Sequence, residues 1–273
     1  MAAIDDLLHV MRVLRDPKRG CPWDRAQNFA SIAQTTLEEA YEVVDAIESG
    51  APDMLRDELG DLLFQVVFHA QMAAELNQFD FDAVAASIRD KLVRRHPHVF
   101  AGSPMPELAE QSAQWERMKA AERAARHDMN SELDGVARCL PALARAVKLS
   151  RRAARVGFDW EHAQQTAAKV SEELGEVLQE MQGQVGPLPS EHLVEEVGDL
   201  LFAAANLARK LNIDAESALR AANAKFERRF HHMEAALKQS REEMVHVPLA
   251  RLESLWETAK QADAGRGAPD ESS

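Results

Sequence analysis

The sequence predicts an all-α protein built from two tandem helical modules. Apolar residues recur at helical spacing along the 273-residue chain, and no segment alternates apolar and polar residues as a strand would. A set of acidic residues occurs twice, in TLEEAYEVVDAI…DELGDLLF and in VSEELGEVLQEM…EEVGDLLF. Glu38 corresponds to Glu172 and Glu58 to Glu196, and the interval is slightly longer for the second pair. This pattern indicates a duplicated module with an altered loop.

Proline and glycine divide each module into helices. In the first module, helices are expected near residues 4–15, 31–49, 52–76, 81–95 and 107–126. The fourth should end before Pro97, because the residue before a proline avoids helical geometry. The second module repeats this order. The expected divisions are an N-terminal module at 1–126, a linker at 127–138, a C-terminal module at 139–262 and a disordered tail at 263–273.

Composition and charge narrow the class of protein. The net charge of −13 argues against a nucleic-acid polymer as partner, since phosphate backbones need a cationic surface. No apolar stretch reaches the roughly 18 residues of a membrane span, and the acidic N-terminus is unlike a signal peptide. We therefore expect no membrane contact and a cytoplasmic location. A GxxxxGK[ST] loop is lacking, which excludes P-loop chemistry.

The repeated acids predict a metal site in each module. Residues three apart share a helix face, so Glu39 with Glu42, and Glu58 with Asp61, each form a carboxylate pair. If the two helices pack antiparallel, the four carboxylates converge and repel one another, and a divalent cation removes that conflict. Oxygen-only ligands favour Mg²⁺, with Mn²⁺ as a substitute. The corresponding carboxylates of the second module are Glu173, Glu176, Glu196 and Asp199.

The acids of the second helix lie beside an apolar strip that is expected to face the core. This strip comprises Leu59, Leu62, Leu63, Val66 and Ala70. A single EExxE pattern is also typical of a solvated helix face. Here, however, the whole set recurs next to an apolar strip, and basic residues follow it each time. This recurrence favours a metal site over a solvated helix face.

Basic and aromatic residues recur after each acid set, as K-x-x-R-R and then W-E-x-x-K. A nucleotide site needs a metal, cations that bind the phosphate chain and an aromatic ring that contacts the base. These residues provide the cations and the ring. In the first module the candidates are Lys91, Arg95, Trp115 and Lys119. In the second module they are Lys225, Arg228, Arg229, Trp256 and Lys260. Lys169, just before the acids of that module, is a further phosphate-binding candidate.

Together these motifs resemble the all-α nucleoside triphosphate pyrophosphohydrolases of the MazG type. EEAYEVVD with ELGDLL, and EELGEVLQ with EVGDLL, are similar to the E-E-x-x-E…E-x-x-D signature of that superfamily. GCPWD, RRHPHVF and VGFDW resemble its two-repeat members, and the resemblance covers about residues 4–262. It implies two helical modules, a homodimer, dependence on Mg²⁺, and cleavage of a nucleoside triphosphate to the monophosphate and pyrophosphate.

The resemblance also implies roles for the acids of the second module. Glu173, Glu176, Glu196 and Asp199 would hold Mg²⁺ on the triphosphate. Glu172, which lies beside these ligands but at a different angle around the helix, is the candidate general base or a support for them. The expected catalytic set is therefore Glu172, Glu173 and Glu176.

Alternatives remain open at this point. The substrates are expected to be NTPs and dNTPs with broad base tolerance, but a relative specific for dUTP or phosphoribosyl-ATP shares the motifs. A non-catalytic regulatory module that only binds Mg²⁺ and nucleotide would also share these motifs. We predict that the C-terminal module carries most of the activity, because the helix of Lys225 and Arg229 should continue toward Leu237. The helix of Arg95 should instead fray at Pro97.

Overall fold

The computed structural model describes residues 3–105, 107, 110–111, 115, 118, 122, 131–183 and 188–266. All regular secondary structure in these ranges is helical, which confirms the predicted fold class. The chain forms two compact units, Met1–Ala125 and Arg126–Ser273. Within the described ranges, no helix has both the length and the apolar composition that crossing a bilayer requires.

Six helices of the first unit have both ends among the described residues. They are α1 (Ala3–Leu14), α2 (Pro22–Ala26), α3 (Ala33–Ser49), α4 (Pro52–Glu75), α5 (Phe81–Arg95) and α6 (Pro97–Phe100). Trp115 is also helical, whereas Lys119 lies outside the described residues. The short helix α2, with proline in its first turn, falls inside the segment where the sequence predicts only a break.

The second unit contains five α-helices in its described part. They are α7 (Ala142–Arg155), α8 (Ala163–Gly183), α9 (Glu191–Lys210), α10 (Ala215–Ser240) and α11 (Leu249–Arg266). A 3₁₀ turn at Met244–His246 precedes α11. Helix α11 continues past residue 262, where the disordered tail was expected to begin, so 263–266 are helical. The rest of the tail, 267–273, lies outside the described residues.

The core of the first unit lies between α1 and α4, and it uses a different strip of α4 from the predicted one. Met11 packs with Val67, Phe68 and Met72 in this core. Leu59, Leu63 and Val66 remain exposed, whereas Ala70 is buried as predicted. Helix α4 carries two apolar strips. Packing of α1 against the strip that contains Phe68 leaves the strip of Leu59, Leu63 and Val66 exposed in the described part of the unit.

Two turns of the first unit contain a glycine that the local geometry requires. Gly50 ends α3 in the left-handed conformation, with φ of 67°, and Pro52 starts α4 two residues later. Gly20 closes the turn between α1 and α2, where an added Cβ would lie 2.4 Å from the Leu14 carbonyl oxygen. Such a tight turn tolerates no side chain.

The two basic helices end differently, as predicted. Helix α5 ends at Arg95, directly before His96 and Pro97. Helix α10 continues through Phe230 and Leu237 to Ser240.

Candidate active sites

In the first module, helices α3 and α4 bring the predicted carboxylates together. Carboxylate oxygens of Glu39, Glu42 and Glu58 all lie within 4.8 Å of one another. Burial and the neighbouring carboxylates, Asp61 foremost, raise the pKa of Glu39 above its usual value. Burial and the charges of Glu42 and Asp61 raise the pKa of Glu58 in the same way. The four acids therefore form one mutually repelling cluster, as the helix geometry predicts.

In the second module, α8 and α9 form the corresponding cluster. Carboxylate oxygens of Glu173, Glu196 and Asp199 lie within 4.8 Å of one another, and Glu173 is buried. Glu176 shares a hydrogen bond with Glu173, and this contact, followed by burial and the charges of Glu173 and Glu196, raises the pKa of Glu176. All donors are carboxylate oxygens, which fits a hard divalent cation.

A lysine distinguishes the second cluster from the first. Lys169 Nζ lies 2.8 Å from a carboxylate oxygen of Glu172 and 2.8 Å from one of Glu173. These two hydrogen bonds raise the pKa of Lys169, so it remains a cation within the cluster. In the repeat register that aligns Glu39 with Glu173, the residue that corresponds to Lys169 is Thr35. The first cluster therefore lacks the cation that the second contains at this position.

Glu172 does not belong to the group of converging acids. Its side chain is 59% exposed, and its described partner is Lys169. The structure thus places Glu172 beside the cluster, on the outer side of α8, which agrees with its predicted position.

The basic residues of the second module are held by an acid that the motifs did not single out. Arg229 Nε donates a hydrogen bond of 3.0 Å to Asp263 Oδ2, and Arg228 Nε lies 3.6 Å from Oδ1. Although burial opposes ionisation of Asp263, these two arginines lower its pKa. The Arg229 guanidinium also lies over the Trp256 ring, 5.7 Å from its centroid.

The first module repeats this arrangement. Arg94 and Arg95 both donate hydrogen bonds to Glu122, and Arg95 engages both of its carboxylate oxygens. These hydrogen bonds, from Arg95 foremost, lower the pKa of Glu122 to about 2. The Arg95 guanidinium lies 5.4 Å from the centroid of the Trp115 ring. The tryptophan expected to face a base therefore also stacks on the phosphate-binding candidate.

Sequence reasoning missed Glu122 and Asp263, although a signal was present. Trp115, Lys119 and Glu122 recur with identical spacing as Trp256, Lys260 and Asp263. An acid two helical turns after a tryptophan lies on the same helix face and can contact the same neighbour. The full motif is therefore W-E-x-x-K-x-x-[ED].

Unlike Lys169, the candidates Lys91, Lys225 and Lys260 lie on the expected helices, and none of their described ion pairs is with an acid cluster. Lys91 and Lys225 lie one turn before Arg95 and Arg229 respectively. Lys260 instead pairs with Glu257 at 2.9 Å. The ion pairs described for the arginine pairs of α5 and α10 are with Glu122 and Asp263, which lie outside the acid clusters.

Two helical modules, each with a converging carboxylate cluster and a separate arginine–tryptophan cluster, define an all-α protein suited to metal-dependent chemistry on phosphates. The family model described as the MazG nucleotide pyrophosphohydrolase domain matches residues 27–100 and 161–234. The chain belongs to this MazG family, which confirms the resemblance of the motifs.

Two curated relatives match nearly the whole chain, and a third matches half of it. The nucleoside triphosphate pyrophosphohydrolase of Escherichia coli (strain K12) is 51% identical over 263 residues, covering 96% of this chain and 99% of that protein. The nucleoside triphosphate pyrophosphohydrolase/pyrophosphatase MazG of Thermotoga maritima is 40% identical over 95% of this chain and 96% of that protein. A nucleoside triphosphate pyrophosphohydrolase of Mycobacterium tuberculosis is 45% identical over 50% of this chain and 41% of its own length.

Proposed function

We propose that the chain is a Mg²⁺-dependent nucleoside triphosphate pyrophosphohydrolase that converts NTPs and dNTPs to monophosphates and pyrophosphate. The observation that carries this proposal is the convergence of the signature carboxylates on paired helices in a member of the MazG family. The names of the full-length relatives support the same reaction.

The acids of the second module have two roles, binding of the cation and activation of the attacking water. Glu173, Glu176, Glu196 and Asp199 hold the cation, and their crowding favours it over an empty site. When bound, Mg²⁺ would neutralise triphosphate charge and increase the acidity of water at the site. Glu172 orients or deprotonates the attacking water from the edge of the cluster. Lys169, held between Glu172 and Glu173, is placed to turn toward a phosphate once a metal occupies the cluster.

The basic helix supplies the remaining contacts to the triphosphate. Lys225, Arg228 and Arg229 lie within two turns of α10 and bind phosphate oxygens. Trp256 offers a ring surface to the base, with Lys260 one turn further along α11. Stacking on a ring accepts every base, which supports broad base tolerance over a narrower dUTP or phosphoribosyl-ATP specificity.

We further propose a cytoplasmic homodimer. The exposed strip of Leu59, Leu63 and Val66 recurs in part as exposed Val197 and Leu201 in the second module. A second copy of the chain would bury these apolar residues.

The bond that is cleaved provides the first test. If water attacks the α-phosphorus, ¹⁸O from labelled water enters the nucleoside monophosphate, and pyrophosphate is released unlabelled. An NTP and dNTP panel with Mg²⁺, resolved by chromatography, would measure base tolerance at the same time. Release of orthophosphate and nucleoside diphosphate as primary products would refute the proposal, and an absence of turnover would favour a regulatory nucleotide-binding module.

Metal dependence provides the second test. Asp199→Asn removes one charge from an oxygen-only site, so we expect Mg²⁺ affinity and turnover to fall together by at least about tenfold while helicity persists. Glu234→Gln, an exposed change of equal charge on α10, is the matched control. Arg229→Ala should raise KM and lower kcat, because a phosphate contact is lost in both ground and transition states. Near-normal activity of Asp199→Asn at low Mg²⁺ would show that the metal site is wrongly assigned.

A further inference from the structure

The last helical segment of each module provides an acid that holds the arginine pair of the preceding basic helix. Asp263 contacts Arg228 and Arg229, and Glu122 contacts Arg94 and Arg95. The interval from Glu122 to Asp263 is longer than the interval from Arg95 to Arg229, so the contact is preserved despite a change in the intervening loop. A preserved contact between separate elements indicates a role tied to the arginines.

The two acids engage their arginines to different extents. Glu122 accepts four hydrogen bonds, from Nε and Nη2 of both Arg94 and Arg95. Asp263 accepts one hydrogen bond from Arg229, through Nε at 3.0 Å. Within the described part of the second module, the terminal nitrogens of Arg229 donate no hydrogen bond. The aspartate is shorter than the glutamate by one methylene, which limits its reach.

A bidentate carboxylate occupies a guanidinium in the same way as a phosphate does. Two parallel N–H donors of the Nε–Nη2 edge match two oxygens of either anion. In the first module this edge of Arg95 is filled by Glu122. In the second module, Asp263 fixes Arg229 through Nε and leaves Nη1 and Nη2 to a ligand, as far as the described residues extend.

We infer that Asp263 is a positioning residue that orients Arg229 toward substrate phosphate, whereas Glu122 acts as an internal phosphate mimic that keeps triphosphate out of the first module. This inference rests on the proposed function, since it takes the phosphates of a nucleoside triphosphate to be the ligand of Arg229. The length of one acidic side chain then determines which module binds substrate.

Protonation does not release the internal mimic. Hydrogen bonds from Arg95 and Arg94 lower the pKa of Glu122 to about 2, so its carboxylate is ionised at neutral pH. A triphosphate must therefore displace Glu122 by direct competition for the two arginines. In the second module a ligand can reach the terminal nitrogens of Arg229 while Asp263 keeps its hydrogen bond to Nε.

Exchange of the two acids tests the inference, because both exchanges keep the charge. Binding of α,β-methylene ATP with Mg²⁺ to the full-length chain is measured by isothermal titration calorimetry, together with KM and kcat for ATP. We expect one tight site per wild-type chain. Asp263→Glu should weaken this site and raise KM by about tenfold, the size expected for one lost charge-assisted contact. Glu122→Asp should add a second site of comparable affinity.

Glu122→Gln is a further variant, and it too should gain a binding site because the mimic loses its charge. A purely structural role for Glu122 predicts a lower melting temperature and no gain of binding. Wild-type affinity and stoichiometry in both exchange variants, with normal hydrolysis by the wild-type chain, would overturn the inference alone. Failure of the wild-type chain to bind the analogue and to hydrolyse ATP would overturn the proposed function with it.

Discussion

At the scale of single residues, the charge balance of the two acid clusters differs because of one position. Lys169 neutralises part of the second cluster, whereas Thr35 leaves the corresponding place in the first without a cation. Burial, together with repulsion between the carboxylates, raises the pKa values of Glu39 and Glu58. The first cluster therefore needs an external cation more than the second does.

This repulsion predicts how pH and metal affect the stability of the first module. An acid with a raised pKa binds its proton more tightly in the folded state, so stability falls as pH rises from the usual value of 4.5 through the folded pKa. Above that window the cluster is destabilising. Glu58→Gln should then raise the melting temperature of the first module in EDTA at neutral pH and reduce the further rise produced by Mg²⁺. Scanning calorimetry with EDTA and with Mg²⁺ measures both effects.

Asp45→Asn is the matched control, since it removes one charge from an exposed position on α3 outside the cluster. It should leave the difference between the EDTA and Mg²⁺ melting temperatures unchanged. An equal response of Glu58→Gln and Asp45→Asn would show that general acidity, and not the cluster, governs stability.

At the scale of helices, periodicity predicted which residues share a face but not which face is buried. The pairing of Glu39 with Glu42 and of Glu58 with Asp61 follows from a single helix, and the structure brings these acids together. The core of α4 depends on where α1 packs, so Leu59 and Leu63 could not be distinguished from Val67 and Phe68 in advance.

The contact between the last two helices was likewise not predicted. The pairing of Arg229 with Asp263 depends on how α10 and α11 cross, and a motif that ends at Lys260 omits the acid. Asp263 is recognised only when the comparison of the two modules is extended three residues beyond Lys119 and Lys260.

The turn between α1 and α2 supports a prediction at this scale. Gly20→Ala places a Cβ within 2.4 Å of Leu14 O and 2.6 Å of Asp16 O, so the backbone must shift. We expect the free energy of unfolding of the first module to fall by about 1 to 3 kcal/mol. Urea titration followed by circular dichroism measures this change.

Gly60→Ala serves as the comparison, because a Cβ at this helical position meets nothing within 4 Å. Alanine in a helix interior is favoured over glycine by about 1 kcal/mol, so this variant should be at least as stable as the wild-type chain. Equal effects of the two substitutions would contradict the role assigned to the turn.

At the scale of the whole molecule, duplication has produced two units with the same parts but different pairings. The predicted continuity of α10 is confirmed, and α5 ends at Arg95. Helix ends do not account for the whole difference between the modules, however, because Glu122 binds the Arg95 guanidinium at the end of α5. The difference between the modules lies also in Lys169 opposite Thr35 and in Asp263 opposite Glu122.

These differences still predict that the C-terminal module carries most of the activity. It has a cation inside its acid cluster and, among the described residues, an arginine whose terminal nitrogens donate no hydrogen bond, whereas the arginines of the first module already bind an anion. Glu196→Gln/Asp199→Asn in the full-length chain should therefore reduce ATP turnover by at least about a hundredfold. Glu58→Gln/Asp61→Asn should retain most of it, although each pair removes the same two charges from corresponding positions. Steady-state pyrophosphate release from both variants and from the wild-type chain distinguishes the modules. Loss of turnover in the first-module variant, with the second-module variant active, would assign catalysis to the N-terminal module.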